Sequence, residues 1–401
     1  MKRYWKTISI CLVTLLVIGT FYIQSSFAAN NHVKIEFEKV SGNEDEVKHL
    51  MLDGHYPVGH MYQPLQITSE ETIDPSNLSF LRKLERLSVP PRFDDLVKQH
   101  RAFMRSKYLM PNYFFENDNL IAYANIKAKN NVHPMTGLSF DIEVLNKETK
   151  EITPIQLDIP ERENYGWMQV EDVQVIDGEL KIITRGSRIK KNIENELRVY
   201  TFDVSEKKLL SDESIISIPA VENGWSDVRI INDHYSMQQN KFLLIKIEAV
   251  ENEMVQSDGE LNPVINEFMV YDLENNQSKK LAVPEEALNS INNASAILNS
   301  TLYIPSQSAS GLEVHQYDIQ NEKWGETLTY DLDSMDDENA PYMKVMNGKL
   351  YTVHSTDNGN TIFIGDLATG ESLYEGKLKV KNEREDQKDF QLYIHEIEYV
   401  Q

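Results

Sequence analysis

The 401-residue sequence has a single cysteine, Cys11, inside the apolar run from Ile8 to Ile23. The rest of the chain has no disulfide, no thiolate metal ligand and no cysteine nucleophile, so a buried apolar core must hold it. Cys11 follows Ile10, where a lipid-attachment site requires a small residue, and this argues against a lipoprotein. Basic residues are also scarce: 40 Lys and Arg stand against 63 Asp and Glu, a net charge of −23. That balance argues against a nucleic-acid partner, because clustered cations are needed to neutralise phosphates.

Catalytic signatures are missing as well. The chain has no Gly-x-Ser-x-Gly elbow, no His-Glu-x-x-His and no Gly-Lys-Ser/Thr phosphate loop. With 63 acids, no carboxylate pair of the glycosidase kind is marked by spacing. There is no Trp-Asp dipeptide, Kelch glycine pair or Asp-box either, so no known repeat family is assigned.

Residues 1–28 differ from everything after them, with Lys2, Arg3 and Lys6 ahead of the apolar run and no acid before Glu36. This is the pattern of an export signal. The sixteen residues from Ile8 to Ile23 span roughly 24 Å as a helix, less than a hydrocarbon layer of roughly 30 Å. Ser26-Phe27-Ala28 supplies small residues for cleavage before Ala29, and a retained short signal anchor is the alternative. Either way, residues 29–401 are expected as one domain outside the cytoplasmic membrane.

What the chain does have is alternation. From Val173 to Pro219 four short strands follow one another, the first two joined by Asp177-Gly178, a strong tight-hairpin signal. The plan recurs. A polar turn precedes a strand at Leu120, Leu180, Phe242, Leu302 and Leu350, and a second turn follows at Asn146, Asp203, Asp272, Asp318 and Asp366. Asp and Asn cap such turns with their own side chains. The strands from Val33 to Ile67 and the run Phe390 to Val400 lack partners of their own and can pair into a further unit.

The pattern predicts an all-β fold: a β-propeller-like array of about six four-stranded meanders, closed by the amino- and carboxyl-terminal strands. Tandem β-sandwiches are the alternative. Asp53-Gly54 reads as a strand end, and the acidic segment Glu248 to Asn266 as an exposed hairpin loop. A two-helix insertion is expected near residues 76–110. Leu78, Leu81, Leu84 and Leu87 line the first helix, and Phe93, Leu96, Val97, His100, Phe103 and Met104 line the second.

Three clusters are candidate sites. Asp331, Asp333, Asp336, Asp337 and Glu338 form the best metal candidate, an oxygen-rich stretch of the kind Ca²⁺ takes, but a solvated acidic loop is the preferred reading and no cofactor is expected. Lys98, Arg101 and Arg105 fall at helical spacing in the one basic island and would meet an anionic surface or partner, or pair with the acidic body. His49, His55 and His60 match no standard metal spacing and read as an ordinary hairpin. Trp167, Trp225 and Trp324 lie near polar turns, where packing between repeats and lining a sugar-binding mouth are both compatible roles. The expected function is non-catalytic binding of an envelope protein or surface polymer; a propeller-fold hydrolase or lyase acting on carbohydrate is the alternative.

Overall fold

The computed structural model describes residues 4–28, 33–58, 60–75, 78, 89–130, 132–189, 193–221, 224–231, 237–255, 261–281, 290–308, 311–332, 340–356, 359–381 and 392–400. Helix α1 (Trp5–Ala28) covers the apolar run and leaves Ile8, Ile10, Leu12 and Leu15 exposed. Among the described residues no helix is long and apolar enough to cross a membrane.

Strand β1 (Ile35–Gly42) is followed by β2 (Leu50–Val58), β3 (Met61–Thr68) and β4 (Thr72–Ile73). A second group comprises β5 (Phe114–Glu116), β6 (Leu120–Lys127), β7 (Ser139–Asn146) and β8 (Ile152–Asp158). The stretch read first in the sequence becomes β9 (Tyr165–Ile176), β10 (Glu179–Arg188), β11 (Ile193–Asp203) and β12 (Lys208–Pro219). Next come β13 (Gly224–Ile230), β14 (Phe242–Val255), β15 (Leu261–Asp272) and β16 (Gln277–Lys280). The fifth group is β17 (Ala296–Leu298), β18 (Thr301–Ser308), β19 (Gly311–Asp318) and β20 (Lys323–Trp324), with β21 (Leu328–Asp331) also pairing β19. The last strands are β22 (Tyr342–Met346), β23 (Lys349–Thr356), β24 (Gly359–Asp366), β25 (Ser372–Val380) and β26 (Tyr393–Tyr399).

Six antiparallel sheets result, four of them meanders in chain order and two completed by a strand from the other end of the sequence. That is a β-propeller-like array, not the strand exchange of Greek-key sandwiches. The two chain ends are tied in: β26 joins β2, β3 and β4, and β1 adds to the outer side of β25.

The repeated turn chemistry is physical. Asn146, Asp203, Asp272, Asp318 and Asp366 each accept a backbone N–H three residues on, from Thr149, Glu206, Asn275, Asn321 and Thr369. Four residues after each stands a positive-φ position: Lys150, Lys207, Asn276, Glu322 and Gly370. The capping side chain closes the turn and that position restores the strand register. Backbone donors hold the carboxyls of Asp203 and Asp366 below the ordinary range, and the Asn321 amide leads the same effect at Asp318.

The chain divides into two compact units, one of residues 1–101, 307–313 and 329–401, the other of residues 102–306 and 314–328. In the first unit one core joins Leu50, Leu52, Leu65 and Ile67 to Tyr351, Val353, Ile362 and Ile397. The second unit is layered by three cores, one of them binding β9–β12 to β13–β15 through Ile183, Val199, Val228 and Ile245.

Three local expectations are corrected. Asp53-Gly54 does not end a strand: it lies inside β2, where the β26 register shifts, and a Cβ at Gly54 would stand 2.6 Å from the Tyr393 carbonyl oxygen. Glycine is there because β26 approaches closely. Glu248 to Asn266 is the expected hairpin, but most of it is strand and not loop, since β14 and β15 continue their ladder as far as Val255 and Leu261. The second helix of the insertion is broken into α2 (Asp94–Gln99) and α3 (Arg101–Met104), because His100 leaves helical geometry at φ −125 and ψ 41. Leu81, Leu84 and Leu87 lie outside the described residues.

Candidate functional site

In the second unit, strand β9 carries an irregularity that gathers polar side chains. Ile183 of β10 pairs with Asp172 but Thr184 pairs with Val170, so Glu171 is an extra residue, a β-bulge. Met168 and Val170 before it and Val173 after it remain in the same core. The bulge preserves that apolar face while presenting two adjacent acids, and bulges commonly re-aim side chains in this way.

Asp172 is half-buried and has no cationic partner among the described residues. Its two carboxyl oxygens each lie 3.1 Å from the Gln174 Nε2 donor, and one accepts the Val173 N–H at 2.8 Å. Gln174 is fully buried and accepts the Asn240 N–H at 2.9 Å. Burial drives Asp172 up to about 7, against the downward pull of those two hydrogen bonds. The group therefore takes up its proton as pH falls through about 7.

Glu171 has the opposite setting. Its Oε1 accepts from Gln169 Nε2 at 2.6 Å and from Arg185 Nε at 2.8 Å. Arg185 Nη1 donates onward to Asp227 at 2.9 Å, and the guanidinium lies 5.7 Å over the Trp167 ring. Arg229 stands 3.8 Å from Asp227 and 3.5 Å from Glu248, which Lys246 approaches at 3.3 Å. Three carboxylates and three cations thus alternate across β9, β10, β13 and β14.

The segment before β5 supplies aromatics beside this belt. Asn112 Nδ2 donates to the Val170 carbonyl at 3.0 Å, fixing the segment to β9, and the Tyr108 N–H meets the Tyr123 hydroxyl at 3.3 Å. The Tyr108 and Tyr113 rings are 5.9 Å apart. Burial raises the Tyr113 phenol, with smaller contributions from its tyrosine neighbours and Glu171. Tyr108 itself is 63% exposed.

Chemically, the arrangement offers a protonated carboxyl, a balanced belt of charge and a rigid aromatic edge. The sequence did carry a signal for it: apolar residues switch from even positions, Met168 and Val170, to odd ones, Val173 and Val175, across Glu171-Asp172. A parity switch inside one strand marks a bulge.

The residues singled out from the sequence lie elsewhere. Asp331 is exposed at the end of β21, while Asp333, Asp336, Asp337 and Glu338 lie outside the described residues. Among the described residues no group of three or more His, Cys, Asp or Glu is arranged to hold a metal. His55 instead packs its ring on Tyr62, Tyr393 and His395, His49 meets Tyr399, and His60 is exposed. Lys98 lies 3.7 Å from Asp94 and 3.9 Å from Asp95 on its own short helix. Arg101 opens α3 and Arg105 follows its end, both exposed, so one continuous helix does not carry the three cations. Trp167, Trp225 and Trp324 sit on β9, β13 and β20, three different sheets. Trp324 is edge-on to Tyr317 at 5.2 Å.

No protein-family model matches the chain, and no curated protein matches it. Among solved structures it is similar to the polysaccharide lyase Uly1 at 8% identity and TM-score 0.36, over 63% of this chain and 57% of that one. It is similar to a GH43 endo-arabinanase from Bacillus licheniformis at 12% identity and TM-score 0.26, over 65% of this chain and 94% of that one. A prolyl endopeptidase overlaps at 9% identity and TM-score 0.33, over 91% of this chain and 51% of that one. The chain thus spans little more than half the length of the lyase and the endopeptidase, and likeness at these scores bears on neither activity nor ligand.

Proposed function

We propose that the chain is an exported, non-catalytic binding protein of a bacterial-type envelope, engaging a surface polymer or another envelope protein. The observation that carries this reading is the neutralised belt. Glu171, Asp227 and Glu248 each have a cation within 4 Å, and Asp172 shares both oxygens with Gln174. Hydrolysis by a carboxylate pair needs one group free to attack or to activate water, and a pinned carboxylate is poorly placed for that. Ordered polar groups of this kind suit recognition.

The export part of the reading is supported by α1, whose apolar side chains Ile8, Ile10, Leu12 and Leu15 are exposed and follow basic residues. Cation contacts from Arg101 and Arg105, and Ca²⁺ at the stretch beginning with Asp331, belong to the same proposal as auxiliary contacts. The test is fractionation of cells expressing the full chain, with cross-linking before lysis. Recovery of residues 29–401 outside the cytoplasmic membrane, cross-linked to envelope material, is expected; a chain found only in the cytosol overturns the reading.

The Asp172 carboxyl favours a second reading. A carboxyl that keeps its proton up to about 7, beside a second carboxyl paired with Arg185, is the arrangement of a general acid. A carbohydrate-active hydrolase or lyase would use it to protonate a leaving oxygen.

A further inference from the structure

We propose that the Tyr108–Tyr113 edge and the adjoining Gln169–Glu171–Arg185 cluster form a subsite for an uncharged saccharide unit. This deepens, and rests on, the binding-protein reading. Three observations carry it.

The first is presentation. Tyr108 is 63% exposed and Met110 46%, yet the backbone that bears them is fixed at both ends. The Tyr108 N–H meets the Tyr123 hydroxyl, the Met110 N–H donates to the Tyr108 carbonyl at 2.9 Å, and the Tyr113 N–H donates to the Met110 carbonyl at 3.0 Å. Lys107 anchors the same stretch through the Phe103 carbonyl and Glu143. An exposed aromatic ring on an ordered backbone loses little freedom on binding, and the C–H face of a sugar ring packs on such a surface.

The second is the set of unused hydrogen-bonding positions. Glu171 spends only Oε1 on Gln169 and Arg185, leaving Oε2 as an acceptor. Arg185 spends Nε and Nη1, leaving Nη2 as a donor, and Gln169 keeps its amide oxygen. None of these atoms has another protein partner among the described residues. A donor flanked by acceptors, all on planar groups held in place by one another, matches neighbouring hydroxyls that each donate and accept.

The third is charge. Glu171, Asp227 and Glu248 are matched by Arg185, Arg229 and Lys246, so the cluster presents no net charge to a ligand. A polyanion or a cationic chain would meet no excess of opposite sign. An uncharged polyol meets no penalty, and it can use both the ring and the polar atoms.

The test is titration of the full chain with neutral oligosaccharides, namely tetrasaccharides of glucose, mannose and N-acetylglucosamine, with a hyaluronan oligosaccharide as the anionic control. Tryptophan fluorescence, to which Trp167 contributes, and calorimetry are the readouts. The expected result is saturable binding of a neutral tetrasaccharide, weakened about tenfold by Tyr108→Ala and by Glu171→Gln. Circular dichroism checks that both variants remain folded, and Tyr108→Phe should restore binding where the ring face is what matters. Binding of hyaluronan alone, no binding of any neutral tetrasaccharide, or neutral binding indifferent to Tyr108→Ala and Glu171→Gln overturns the subsite. Envelope cross-linking that survives Tyr108→Ala separates the two readings: the subsite fails and the binding-protein reading stands. Cleavage of a saccharide that needs Tyr108 does the reverse.

Discussion

Glu196→Ala lowers the unfolding free energy of the chain by about 3–5 kcal/mol at neutral pH, the cost of stranding buried charge. Glu196 and Arg188 are both nearly inaccessible, and Arg188 Nε donates to Glu196 Oε2 at 2.7 Å. The other oxygen, Oε1, accepts Arg198 Nη1 at 2.9 Å and the Ser217 hydroxyl at 3.0 Å. Arg188 also donates to the Tyr165 hydroxyl at 2.6 Å and to Glu161, while Arg198 reaches Asp212 at 2.8 Å through Nε. One carboxylate therefore bridges two guanidiniums between β10, β11 and β12, with Glu161 and Asp212 as their outer partners. Removing it leaves Arg188 with a single, largely exposed carboxylate partner in Glu161.

Burial pushes Glu196 up, but the Arg188 hydrogen bond and the Arg198 charge more than reverse that, so its carboxyl sits below the ordinary range. Its contribution is consequently present above the unfolded carboxyl value and lost as pH falls through the lower, folded one. Urea titrations of the wild type, Glu196→Ala and Glu196→Gln provide the check. Glutamine keeps the shape and part of the hydrogen bonding, so it should fall between the other two. Equal stability of the alanine variant and the wild type would show that the guanidiniums find other partners.

Between pH 6.5 and pH 4 the wild type should lose about 3 kcal/mol of stability relative to a His354→Phe variant. His354 lies on β23, buried, with no hydrogen-bond partner for Nδ1 among the described residues. Burial alone pushes its imidazole down to about 4. The unfolded chain takes up a proton near the ordinary histidine value while the folded chain does not, so stability is full above that value and drains away as pH falls toward 4. Asp172 works in the other sense: its raised carboxyl favours the fold at low pH, and that contribution is lost as pH rises through about 7. Denaturation midpoints from pH 4 to 8 for the wild type and His354→Phe separate the two effects. Parallel curves over the acid range would contradict the assignment to His354.

The meander plan is legible in the sequence because its determinants are local. Asp203, Asp272, Asp318 and Asp366 close turns whose donors are three residues away, and Asp177-Gly178 turns a hairpin within two residues of each strand. The candidate site was harder because its contacts are remote. Arg185 meets Asp227 forty-two residues away, and Gln174 meets Asn240 sixty-six residues away, and no spacing rule connects such positions. Asp53-Gly54 misled because a glycine needed for the close approach of β26 looks the same as a turn glycine until the partner strand is placed. His100 misled because its apolar neighbours keep helical spacing across a break in the helix.

The most direct test of the central claim, binding without chemistry, is to incubate the full chain with purified polysaccharide fractions of a bacterial envelope from pH 5 to 8 and to measure new reducing ends and unsaturated products. Retention of polymer with no product at any pH is the expected result. Product that accumulates with the wild type and disappears with Asp172→Asn would contradict it and make Asp172 the acid of an enzyme.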